Sequence, residues 1–189
     1  LVHRFTGGDA DTAPLHKLGN ERWSKARKKA AEKARDTAAD LLEIQAKRAS
    51  RQGVAMSPDE NDYQKFAAQF PFEETPDQQR AIDEVMAGLS RANPMDRVIC
   101  GDVGFGKTEV ALRSAFVAIS SGYQVAVLVP TTLLAQQHYQ SFSDRFADWP
   151  VRVGALSRLR TGKQRETMLE DMANGKLDIV IGTHRLLGK

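Results

Sequence analysis

The chain has 189 residues, 41% of them hydrophobic and 27% charged, with a formal net charge of +3. That balance suits a globular chain with room for one domain of ordinary size and an appendage. No apolar run approaches the roughly 18 residues needed to span a bilayer, so no membrane partner is expected. The single cysteine, Cys100, excludes a disulfide framework and fits a reducing, cytoplasmic setting.

In chain order, residues 1–19 are rich in Gly and Asp and are expected to form a loop or strand remnant. They lack an initiator Met and the apolar core of a signal peptide, so the chain is expected to be a piece of something longer. Residues 20–53 predict one long helix. Asn20 is a candidate N-cap and Gly53 a candidate stop, with no Pro or Gly between them and Ala, Lys, Glu, Arg and Leu dominant. At 1.5 Å per residue such a helix is about 45–50 Å long. Trp23, Ala26, Ala30, Ala34, Thr37, Leu41 and Ile44 form a narrow stripe along it, suited to linking domains or docking along a partner. Arg22, Lys25, Arg27, Lys28, Lys29, Lys33 and Arg35 crowd its first half. They form either a solvated face paired with Glu21, Glu32 and Asp36 or a salt-sensitive docking face for the domain that follows or for DNA phosphates.

Residues 54–74 are expected to be a connector with Ser57-Pro58 and three phenylalanines, Phe66, Phe70 and Phe72. From Thr75 to residue 189 the texture changes. Short β-rich runs at Arg97–Cys100, Gln124–Val129, Val151–Leu156 and Asp178–Ile181 alternate with helical stretches at 106–121, 132–147 and 162–174. That alternation predicts an α/β unit with a parallel sheet and flanking helices. Cys100 is expected to close the first strand as a small buried hydrophobe.

Between the first run and the next helix stands Gly101-Asp102-Val103-Gly104-Phe105-Gly106-Lys107-Thr108, which fits G-x-x-x-x-G-K-[ST] at every defined position. Glycines let the backbone wrap closely around phosphates so that its N–H groups form an anion nest. The helix that begins beyond Gly106 adds its N-terminal dipole. Lys107 offers a point charge to the β- and γ-phosphates, and the Thr108 hydroxyl is the candidate Mg²⁺ ligand. ATP with Mg²⁺ is the expected cofactor, and Lys107 and Thr108 are the expected catalytic participants. The contacting stretch runs from Gly101 through Thr108 to Glu109.

Further stretches resemble superfamily 2 helicases. Phe72-Glu73-Glu74-Thr75-Pro76-Asp77-Gln78 is similar to their adenine-recognising Gln motif, which implies that Gln78 pairs with the adenine edge and that Phe72 can stack on the ring. Thr75 and Pro76 also fit a helix cap, and Phe72 also fits a core position. Val127 to Gln137 resembles motif Ia, implying that Thr131 and Thr132 face a DNA phosphate. Ile181-Gly182-Thr183-His184 resembles motif Ib and implies the same for Gly182, Thr183 and His184. Arg158 and Arg160 follow a strand end and are further candidates for the DNA backbone.

The resemblance is closer at 96–111, Val125–Tyr139 and Leu177–Leu187, and in Ala13-Pro14-Leu15-His16-Lys17-Leu18-Gly19 followed by Trp23 and the Ala/Lys/Arg helix. These resemble the bacterial transcription-repair coupling factor family. The resemblance implies an incomplete RecA-like P-loop sheet, preceded by a relay-type linker helix and, at 1–19, the end of a polymerase-interacting domain. It implies an ATP-driven double-stranded DNA translocase, with stalled RNA polymerase and excision-repair proteins as partners. The motor motifs alone also suit the related fork-remodelling helicase, and a nucleotide-binding coupling module without hydrolysis is a third reading. The chain contains no Asp-Glu-x-His box and no second motor lobe with its arginine finger. The expectation is therefore phosphate binding with poor hydrolysis by this chain alone. An unpaired edge on the first strand, with marginal stability or self-association, is expected to follow.

Overall fold

The structure, a computed structural model, describes residues 2–3, 15–16, 21–156 and 162–187, without the side chains of 2–3, 15–16, 162–165 and 185. Arg158 and Arg160 lie outside the described residues, as does the Ala13–Gly19 segment apart from Leu15 and His16. The chain divides into two units, 1–51 and 52–189.

In the first unit β1 (Val2–His3) pairs antiparallel with β2 (Leu15–His16). The long helix α1 runs Glu21–Ala49, 29 residues or about 44 Å. No residue of α1 is buried, and Leu41, Leu42 and Ile44 are among its exposed side chains. Lys25 pairs with Glu21 and Lys47 with Glu43, each one turn apart.

The second unit begins with α2 (Glu60–Ala68) and α3 (Pro76–Leu89). Both carry side-chain caps: Asp59 accepts from Asp62 N at the start of α2, and Thr75 and Gln78 form a reciprocal capping box on α3 with Pro76 in its first turn. There follow α4 (Lys107–Ser120), β3 (Val125–Leu128), α5 (Thr132–Arg145), β4 (Val153–Leu156), α6 (Gly162–Ala173), β5 (Ile179–Gly182) and a short 3₁₀ turn at His184–Leu187. The three strands form a parallel sheet in the order β3-β5-β4. This is the α/β fold expected, with flanking helices.

The central strand β5 is buried along its whole length, which is why it is a continuous apolar run. Ile179 and Ile181 join the larger core with Phe66 of α2, Phe116 of α4 and Phe142 of α5. Val180, pointing the other way, packs with Leu156 and with Met168 of α6. Although expected as a connector, 54–74 supplies Phe66, which is fully buried and stacks on Phe116 with ring centroids 4.4 Å apart.

Residues 97–100 depart from expectation. Among the described residues they have no ladder partner and form no strand. Ile99 packs beside Ile82, Val85 and Val110, but Val98 is 81% exposed and Cys100 is exposed, so Cys100 does not close a buried strand. Apolar character sets β tendency, but a strand forms only against a neighbour, and none of the described strands lies beside this run.

Candidate functional site

Gly101–Gly106 connects this extended run to α4. Gly104 and Gly106 adopt positive φ, +87° and +68°, and Gly106 is the N-cap of α4. Among the described residues no side chain caps that helix, and a helix N-terminus without a side-chain cap can receive an anion. Lys107 Nζ donates to the carbonyl oxygens of Gly101 and Asp102, at 2.6 and 2.5 Å, which holds the ammonium over the loop. Val103 and Phe105, at the loop tip, are exposed, and Thr108 on the first turn is half-buried. Between the loop and α5 lies a cleft of about 810 Å³, lined by Gly104, Lys107, Thr108, Leu134, Gln137 and His138.

Gln78 is built into this site from the adjoining helix. Its Oε1 accepts from Thr75 N (2.8 Å), and its Nε2 donates to the carbonyl oxygen of Phe105 (3.0 Å). The capping role expected of the segment is thus present together with a brace on the phosphate loop. Phe72 is 71% exposed, with its ring edge-on to Phe70, so it is not a core residue.

Glu109 follows Thr108 directly but faces a different environment. It is 5% exposed, its carboxylate accepts from Arg113 Nε (2.8 Å) and Arg145 Nη2 (3.0 Å), and its N–H donates to the Gly106 carbonyl (2.9 Å). Arg113 also bonds Glu74, and Arg145 donates to Gln69 while lying 4.2 Å over the Phe66 ring. The hydrogen bond from Arg113 holds the Glu74 carboxyl below its ordinary 4.5. Burial opposes the charge of Arg113, but its bonds to Glu109 and Glu74 prevail and its pKa is raised. Burial likewise pushes the Tyr63 phenol up, against the lowering effect of its bond to Arg113. Sequence reasoning missed this network. The i,i+4 spacing of Glu109 and Arg113 was its one local signal; Glu74 and Arg145 enter from distant segments.

The motif Ia and Ib residues share one edge of the sheet. Leu128, Gly182 and Leu156 end their strands in register, and Val129 N donates to the Gly182 carbonyl (2.9 Å). Open α/β sheets bind ligands at this carboxyl edge. Thr131 is exposed and caps α5 by accepting from Leu134 N (3.2 Å), while Thr132 is half-buried. His184 is exposed, but Thr183 is only 5% exposed. Among the described residues no cluster of His, Cys, Asp and Glu forms a metal site, and no helix is long and apolar enough to cross a membrane.

A positive-φ glycine loop opening a helix whose first residue is Lys107, in an α/β unit with a parallel sheet, has the geometry of a P-loop lobe. The DEAD/DEAH box helicase family matches residues 75–189, more than half of the chain, and the chain belongs to that family. Within it, the whole chain is similar to one segment of the transcription-repair coupling factor. The chain is 57% identical to the Escherichia coli (strain K12) protein and 48% identical to that of Bacillus subtilis (strain 168), over 99% and 100% of its length. It spans 16% of the length of each. Among solved structures it is similar to RecG bound to a three-way DNA junction, with a TM-score of 0.72 and 33% identity over 77% of this chain and 20% of that one. A hypothetical ATP-dependent RNA helicase from Sulfolobus tokodaii shares the fold, with a TM-score of 0.52 and 21% identity over 68% of this chain and 35% of that one.

Proposed function

We propose that this chain is the ATP-binding part of an ATP-driven double-stranded DNA translocase acting in transcription-coupled repair. The protein containing it would displace stalled RNA polymerase and recruit excision-repair proteins. The observation that carries the nucleotide reading is the loop itself. Positive-φ glycines turn its backbone at the free N-terminus of α4, under the Lys107 ammonium. Gly104 is required there by its backbone, whose φ of +87° is one that side chains avoid.

In this reading Gly101–Gly106 wraps the phosphates with its backbone, and Lys107 neutralises their charge. Thr108 would hold Mg²⁺ together with the nucleotide; when bound, the ion offsets charge on the phosphate oxygens. Gln78 has one N–H and one lone pair left for the adenine edge, and exposed Phe72 offers a face to the ring. Thr131, Thr132 and His184 would meet DNA phosphates at the sheet edge, with buried Gly182 and Thr183 supporting them from the end of β5. The similarity to transcription-repair coupling factors along the full chain supports the repair setting.

Calorimetric titration with ADP and with a non-hydrolysable ATP analogue, both with Mg²⁺, tests the nucleotide reading. We expect binding by the chain and at least about 30-fold weaker binding by Lys107→Ala, the loss of a charge-assisted contact. Equal binding by both proteins, or by neither when both are folded, would refute it. The similarity to RecG favours a second reading, a fork-remodelling helicase. A full-length protein containing this segment that regresses forks but leaves stalled polymerase in place would establish that reading over the first.

A further inference from the structure

The two halves of the nucleotide site come from separate segments, and a closed ring of polar contacts joins them. From the P-loop helix, Arg113 bonds Glu74. The next residue, Thr75, donates its N–H to Gln78 Oε1 (2.8 Å), and Gln78 Nε2 donates to the carbonyl of Phe105 (3.0 Å), back in the loop that opens the same helix. An N–H can be met only by the oxygen of an amide, so Thr75 fixes which way the Gln78 amide points. The position of Thr75 in turn depends on Glu74.

The setting of Arg113 is unusual for a residue needed only for stability. It is 4% exposed and its planar fork is divided between two carboxylates, Nε on Glu109 and Nη2 on Glu74. Buried ion pairs are weak contributors to net stability compared with apolar packing, and their best-attested use is to fix the register of one element against another. Glu109 anchors the fork on α4 itself, so the other arm specifies where the Glu74–Gln78 segment stands.

We propose that Glu74 and Arg113 are positioning residues for base recognition: their ion pair holds the Thr75–Gln78 turn so that the Gln78 amide presents a fixed donor–acceptor pattern to an adenine nucleotide. This rests on the nucleotide reading above, and the test separates the two. Binding of ADP, GDP and inorganic tripolyphosphate, each with Mg²⁺, is measured on the full chain and on Glu74→Gln, with Arg113→Lys as a second variant. Tripolyphosphate reports the phosphate cradle without a base.

The expected result for Glu74→Gln is tripolyphosphate binding within about twofold of the unsubstituted chain, ADP binding about 10-fold weaker, and an ADP-over-GDP preference that collapses towards unity. Arg113→Lys keeps a charge but loses the fork, and should show the same loss of preference. Unchanged ADP-over-GDP preference in Glu74→Gln overturns the proposal while leaving the nucleotide reading intact. Equal loss of all three ligands also overturns it, showing that the pair only holds the fold. If the unsubstituted chain binds neither ADP nor tripolyphosphate, the nucleotide reading fails and the proposal falls with it.

Discussion

Gly106 meets three demands at once: a left-handed backbone at φ +68°, the N-cap of α4, and contact with Gln78. A Cβ at this position would stand 2.2 Å from Gln78 Nε2. Gln78 cannot withdraw without losing its bonds to Thr75 and Phe105. Gly106→Ala therefore carries a backbone penalty of about 1–2 kcal/mol as well as a displaced amide. We expect its melting temperature to fall by roughly 4 °C or more and its ADP affinity to drop at least about 10-fold. Scanning fluorimetry with and without ADP would show both, and a variant matching the original in both would disprove this account of the loop. The phosphate loop and the Thr75–Gln78 box were legible in the sequence, because each is a short local pattern with a fixed spacing. The partners of Glu109 were not. Arg145 reaches it from 36 residues away, and nothing in periodicity marks an arginine that will be buried. The burial of Thr183 was equally hidden, since burial is set by tertiary packing and not by a local pattern.

Among the elements, α2 shows how packing outranks sequence texture. Its nine residues have few apolar positions, yet Phe66 is inserted between Phe116 and Phe146, at 4.4 and 5.0 Å, with Arg145 across its face. The Arg145 Nε has no hydrogen-bond partner among the described residues, and its contact with the ring offsets part of that cost. Phe66→Ala should lower the unfolding free energy of the second unit by about 3–5 kcal/mol in urea titrations. A loss below about 1 kcal/mol would mean that α2 is dispensable to that core. The long helix, the three helices after the phosphate loop and three of the four expected strands could be placed from sequence texture, to within a few residues at their ends, whereas α2 was hidden in the expected connector. The fourth, at 97–100, could not, because a ladder depends on a neighbour that no local pattern supplies.

For the molecule as a whole, unpaired backbone and exposed apolar side chains coincide at two places. β3 pairs on one side only among the described strands and leaves Leu128 53% exposed, and the 97–100 run leaves Val98 81% exposed. Such edges favour pairing between copies. Sedimentation of the chain should show a weight-average mass that rises with concentration, and Val98→Lys should reduce that rise. A strictly monomeric chain across the micromolar range would contradict this. The chain also spans 16% of the length of each of the coupling factors it resembles.

The helix α4 carries Lys107 and Thr108 on its first turn and Arg113 on its second, within a rod of 14 residues, about 21 Å. A rod cannot rotate at one end and stay still at the other. A mechanical load that shifts α2, acting through Tyr63 and Gln69 on the two arginines, would therefore arrive at the phosphate loop as a change in grip. The exchange is symmetric: whatever free energy a nucleotide lends to the seating of α2, strain on α2 withdraws from the hold on the nucleotide. Under the proposed nucleotide reading, α4 would act as a transmission shaft between the loop and α2.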